Sequence, residues 1–295
     1  MIKNKPEAYG ISSDNLLCMV QELETFVEDI HSISVVCDND VIFSKCIQPY
    51  TEEPMQMLHS FSKSMNSIAV GIAIDEGKLH LDDLVIDYFK EYLPEEYDKR
   101  IDQLTVAITA GASDKNGNPN RLISKIVNEK LFIPTERGTL ETDVDGEKKL
   151  KKYLDDLCLP YPEGAKNSCL EGKWFDKTLS FEENDRKIQS IEINRKTENE
   201  LLINFHLKDR LVSVEAGFEN WITQEAVFDD PHHFLNSFSY AFKDDKTLVI
   251  KQYWLNMSGY DIYTLHFQDD SVNGMIITSV KLGGAVPIEL SGNIQ

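Results

Sequence analysis

The stretch IQSIEINRKTENELLINFHLKDRLVSVEA, residues 188–216, alternates apolar and polar side chains and breaks at polar pairs. A period of two puts every second side chain on one face of a β-strand. Ile188–Asn194, Glu200–Leu207 and Leu211–Ala216 therefore read as three strands, with Lys208-Asp209 as a hairpin turn. The pattern continues through Phe238–Phe242, Thr247–Trp254, Ile262–Gln268 and Asn273–Ser279, with Lys243-Asp244-Asp245 as another turn. Many short strands with no helix between them predict an antiparallel β-barrel or sandwich. This pattern starts near Cys169, which places a domain boundary near residue 165 and divides the chain into residues 1–164 and 165–295.

The first part is mixed. Leu16, Leu17, Val20, Leu23, Phe26 and Val27 recur at helical spacing over residues 12–30, behind Ser12 and Ser13 as capping candidates. Two β-branched runs, Ile33–Cys37 and Val41–Phe43, surround an Asn/Asp cluster and predict a hairpin. From Ser60 to Glu76, the residues Met65, Ile68, Ala69, Ile72 and Ala73 form one apolar stripe, and Gly77 sits where a helix would end. Leu104–Gly111 reads as a buried strand, and Leu122–Leu131 as a helix. Thr135–Lys149 is polar and reads as a linker, followed by a short helix through Leu150, Leu154 and Leu157.

The bulk numbers narrow the function classes. Of 295 residues, 41% are hydrophobic and 27% charged, a globular composition. The net charge of −20 argues against nucleic acid or anionic membrane as a partner, because phosphate binding draws on clustered Lys and Arg. The N-terminal MIKNKPEAYGISSDNL has no apolar h-region, and no apolar run approaches a membrane span. Five scattered cysteines without C-x-x-C spacing fit reduced thiols in the cytoplasm.

His59-Ser60-Phe61-Ser62-Lys63-Ser64 holds a Ser-x-x-Lys at a helix start. Residues three apart share a helix face, so the Lys63 amine can reach the Ser60 hydroxyl. The segment continues through Asp75-Glu76-Gly77-Lys78-Leu79-His80-Leu81-Asp82-Asp83, and Tyr9-Gly10-Ile11-Ser12 lies upstream. In this order the residues resemble the β-lactamase-related serine hydrolases of the class C, penicillin-binding-protein-like type, over roughly residues 6–100. The resemblance implies an α+β fold: a truncated β-lactamase/transpeptidase-like α/β sandwich followed by the antiparallel β-barrel or sandwich. It also implies Ser60 as the acyl-accepting nucleophile, Lys63 as its proton acceptor, and an ester, amide or β-lactam as substrate. The family's Tyr-x-Asn and Lys-Thr-Gly motifs do not occur in this sequence, which implies impaired catalysis. Tyr50 and Tyr88 are the tyrosines to inspect as substitutes.

Other residues carry weaker signals. His232-His233 beside Asp229-Asp230 reads as a solvated turn before it reads as a metal site, and no cofactor or metal is expected. Trp174, Trp221 and Trp254 are core-filling residues or the lining of a ligand pocket. The alternative to a hydrolase is a non-catalytic small-ligand or protein-binding module built on the C-terminal barrel.

Overall fold

The computed structural model describes residues 5–27, 30–37, 39–52, 61–92, 102, 125–132, 140–228, 234–257, 259–279 and 287–295. The chain forms two compact units, one of residues 57–118 and one combining residues 1–56 with 119–295.

The larger unit is dominated by ten antiparallel strands: β3 (Thr178–Phe181), β4 (Ile188–Thr197), β5 (Glu200–Leu207), β6 (Leu211–Phe218), β7 (Ile222–Glu225), β8 (Leu235–Asp244), β9 (Thr247–Trp254), β10 (Tyr260–Gln268), β11 (Ser271–Thr278) and β12 (Ile288–Ile294). Their order is β6-β5-β4-β3-β12-β11-β10-β9-β8-β7. The sheet closes where β6 runs parallel to β8 at Gly217↔Ser239 and Phe218↔Tyr240. With β7 attached outside that seam, nine of the ten strands make a closed barrel. Closure removes the unpaired edges that an open sheet would present.

Alternation sorts the side chains. Along β5, Leu201, Ile203, Phe205 and Leu207 point inward and are buried, while Leu202, Asn204 and His206 lie outward. β9 does the same with Leu248, Ile250, Gln252 and Trp254. Large residues fill the interior, among them Phe238, Tyr240, Phe242, Tyr263 and Phe267. At one end Trp174 stacks on Phe267 with ring centroids 4.4 Å apart. Beside it, Arg195 donates to Glu171 and to the Tyr240 hydroxyl, both at 2.6 Å.

A second core covers part of the barrel's outer wall. It is built by α1 (Ser13–Phe26), the hairpin of β1 (Ser32–Cys37) and β2 (Asp40–Cys46), and a π-helical turn Asn128–Phe132. A helix at Val144–Asp156 completes it, here α4 in chain order after two helices of the smaller unit. Leu16, Val20 and Leu23 of α1 meet Leu150 and Leu154 of α4 in this core, which Tyr50 joins to Tyr253 and Leu255 of the barrel. Burying each such aliphatic side chain contributes about 1.5–3 kcal/mol relative to leaving it in water. Both helices are capped as their sequences allow. The Ser12 hydroxyl accepts from the Asn15 N–H, the buried Glu7 carboxylate accepts from the Ser13 N–H at 2.9 Å, and Asp143 accepts from the Gly146 N–H at 2.9 Å. The acidic run read as linker therefore already belongs to α4 from Val144 onward.

In the smaller unit, α2 (Phe61–Asp75) carries the expected apolar stripe and ends at Gly77 in the left-handed conformation, with Lys78 N–H donating to Ala73 O. None of the α2 residues is buried. The short α3 (Val85–Phe89) follows, and Asp83 accepts from the His80 N–H and the Tyr88 hydroxyl.

The barrel half of the expected architecture is present. The α/β sandwich finds no support among the described residues. Among the described residues, β1 and β2 form only a two-stranded sheet, with no third strand to build a layer between helices. The strand expected at Leu104–Gly111 lies outside the described residues.

Candidate ligand-binding cleft

Ser60 lies outside the described residues, as do His232 and His233. Lys63 stands in the first turn of α2, half-buried. Tyr88 is engaged with Asp83, and Tyr50 is buried under His31, whose ring stacks on it at 3.8 Å. All five cysteines are thiols.

Among the described residues, the side chains of one hydrophobic core occupy the barrel interior. A second polar cluster gathers around Asp261. There Arg186 donates to Asp261 at 2.8 Å and to Thr278 at 3.1 Å, and Thr278 donates to the other Asp261 oxygen at 2.5 Å. Tyr263 donates to Gln252 at 3.0 Å, Gln252 to Asn236 at 2.9 Å, and Asn236 to Ala226 O at 2.7 Å. The cavity that Trp254, Phe228 and this network enclose measures about 20 Å³, enough for a single water. Of the three tryptophans, Trp174 is core, Trp254 borders this small cavity, and Trp221 packs on the outer wall.

A larger hollow lies on that outer wall. Alternation turns Lys251 and Tyr253 outward from β9 while Ile250 and Gln252 face in. The pairing Tyr260↔Tyr253 brings a second ring alongside from β10. The Lys251 ammonium consequently sits over both rings, 4.8 Å from each centroid. Facing these residues is the last turn of α1, with Glu24, Thr25, Phe26 and Val27. Ile30, Ile47 and the segment Cys158–Pro160 complete a cleft of about 310 Å³.

The Cys158–Pro160 segment is pinned on several sides. Leu159 N–H donates to Gln48 O at 2.7 Å, Trp221 Nε1 donates to Leu159 O at 3.2 Å, and Lys251 Nζ donates to Pro160 O at 3.3 Å. Tyr161 stacks on Trp221 at 5.5 Å, and the Cys158 thiol donates to its hydroxyl at 3.3 Å. Burial first, and then that hydrogen bond, push the Tyr161 phenol above its ordinary range. On the facing wall, burial raises the Glu24 carboxyl above its usual value, and the Tyr153 hydroxyl donates to it.

Other hollows are chemically plainer. A groove of about 400 Å³ between α1, β1 and the π-helical turn is lined by Met19, Leu23, Ile33 and Val35, with Ser32 and Ser34 as its polar side chains. Another, of about 390 Å³, lies at the β3–β4 turn among Glu182, Glu183, Lys187 and Lys208. The cleft over β9 alone among these three combines aromatic walls with one cation and one carboxylate facing each other. Short motifs could not reveal it, because its walls lie more than two hundred residues apart in sequence.

No family model matches the chain, and no curated protein matches it. Some solved structures are similar to part of the chain. A fatty acid-binding protein from Drosophila melanogaster brain tissue is 8% identical and covers 41% of this chain and 98% of its own, with a TM-score of 0.32. A Schistosoma mansoni fatty acid-binding protein in complex with arachidonic acid is 6% identical over 42% of this chain and 96% of its own, with a TM-score of 0.33. As-p18, an extracellular fatty acid-binding protein, is 9% identical over the same shares, also with a TM-score of 0.33. The membership in the β-lactamase-related, penicillin-binding-protein-like hydrolases inferred from the Ser60 segment is corrected by these findings. No family model places the chain among those hydrolases, and among the described residues the N-terminal strands form a two-stranded sheet instead of the hydrolase layer. The ester, amide or β-lactam substrate falls with that assignment. The physical reason is that a capped amphipathic helix followed by a polar turn is a local pattern, and it constrains no sheet around it. No helix among the described residues is long and apolar enough to cross a membrane.

Proposed function

We propose that the chain is a non-catalytic binding module that takes a small ligand in the cleft on the outer wall of its β-barrel. One observation carries this reading: core side chains occupy the described barrel interior, whereas the cleft over Lys251, Tyr253 and Tyr260 offers about 310 Å³. Small-molecule sites typically span ~300–1,000 Å³, with mostly apolar linings and a few converging polar groups. The cleft meets both criteria through Val27, Ile30, Ile47 and the two tyrosines, with Lys251 and Glu24 as the polar groups.

The test is a thermal-shift screen of the full chain against small amphiphiles, with Trp221 fluorescence as the second readout. A ligand at one hundred times its Kd stabilises the fold by about 2.7 kcal/mol. Val27→Trp, which fills the cleft from the end of α1, should remove that stabilisation and leave the ligand-free melting curve in place. Ser60→Ala should change neither. The reading fails when no amphiphile stabilises the protein, or when stabilisation survives Val27→Trp unchanged.

A further inference from the structure

We infer that the ligand of this cleft is a zwitterion with an apolar substituent, in chemical class an apolar α-amino acid or a short apolar peptide with free termini. This rests on the reading that the cleft is a ligand site. Lys251 and Glu24 line one hollow of about 310 Å³, one on the barrel wall and the other on the last turn of α1. Within so small a space a ligand charge feels both. A carboxylate alone meets attraction at Lys251 and repulsion at Glu24, and an ammonium alone meets the reverse. A ligand carrying both charges satisfies both walls.

The two charges are also held in place. The Lys251 ammonium is fixed over two rings and against Pro160 O, and Glu24 accepts from Tyr153. Fixed charges cost little ordering on binding. The remaining lining, Val27, Ile30, Ile47 and the Tyr260 ring, accepts an apolar side chain and offers a π face to an aromatic one.

The experiment compares four ligands of one shape by calorimetry on the full chain: phenylalanine, phenylalaninamide, N-acetylphenylalanine and N-acetylphenylalaninamide. Phenylalanine should bind about tenfold tighter than either singly charged analogue, since each analogue lacks one of its two charge-assisted hydrogen bonds. Lys251→Gln should erase the preference over phenylalaninamide, and Lys251→Arg should restore it. Glu24→Gln should erase the preference over N-acetylphenylalanine. Unliganded melting curves of the variants separate a lost charge from a lost fold. Equal or tighter binding of a singly charged or neutral analogue overturns the inference and leaves the cleft a ligand site. Silence from all four, with amphiphiles still binding in the general screen, overturns it as well. Silence in both assays sinks the binding reading itself.

Discussion

Asp261 is 2% exposed and carries its charge inside the barrel, within a small polar network. Burying an ion costs several kcal/mol, which its partners must offset: Arg186 at 2.8 Å and the Thr278 hydroxyl at 2.5 Å. Removing one side of such a pair strands the other charge. Asp261→Ala should therefore lower the urea-unfolding free energy by about 3–5 kcal/mol, and Asp261→Asn by less because the amide oxygen still accepts from Thr278. A loss below 1 kcal/mol for the alanine variant means that water reaches Arg186 and the pair is not a buried one. None of this was legible in the sequence, where Asp261 follows Tyr260 as an ordinary acidic residue in a polar turn. The same holds for the cleft. Glu24 reads as a polar-face residue of an amphipathic helix and Lys251 as an outward strand position, and both descriptions are correct. Only the packing of that helix on that strand turns two surface charges into one site.

Helix α1 is the element on which the cleft depends, since its last turn forms one wall. Its own sequence cannot set that position; α4 does, through Leu150 and Leu154 against Leu16 and Val20. Leu150→Ala should cost about 2–5 kcal/mol, the range for emptying a buried leucine site. It should also weaken ligand binding, because the α1 wall shifts toward the void. A variant destabilised to that extent with ligand affinity unchanged would show that the hairpin alone holds α1. At this scale the sequence was most informative where periodicity was strongest. β5 and β9 follow the alternating runs Glu200–Leu207 and Thr247–Trp254 residue for residue, and α1 and α2 follow their apolar stripes. The strands that went unread are β3, β7 and β12, two of them four residues long. In β12 the run IELSGNI is broken by Gly292, which reads as a turn residue. The glycine is there because a Cβ at that position would stand 2.2 Å from Ser180 O on the neighbouring strand.

At the scale of the molecule, two properties escape any local window: how the barrel closes, and what the summed charge does. Closure depends on Gly217 and Phe218 of β6 meeting Ser239 and Tyr240 of β8, a parallel pairing that no hairpin signal announces. Charge is the opposite case, plain in the composition and without bearing on topology. Fifty acidic residues against thirty basic ones leave −20 on one chain, and folding crowds those charges together. Self-repulsion of this kind opposes the compact state and is screened by salt, with a Debye length of about 30 Å at 0.01 M and about 10 Å at 0.1 M. Stability should accordingly rise between 10 mM and 200 mM NaCl by about 1 kcal/mol, roughly 2–4 °C in melting temperature for a chain of this size. Urea, being uncharged, is the denaturant to use, since guanidinium would itself supply the screening. Reversing one exposed charge on the rim, Glu183→Lys, should raise the low-salt melting temperature and flatten its dependence on NaCl. Sodium chloride could instead lower stability over this range. The local ion pairs, among them Arg186 with Asp261 and Arg195 with Glu171, would then outweigh the long-range repulsion, and the net charge would have no part in the stability of the fold.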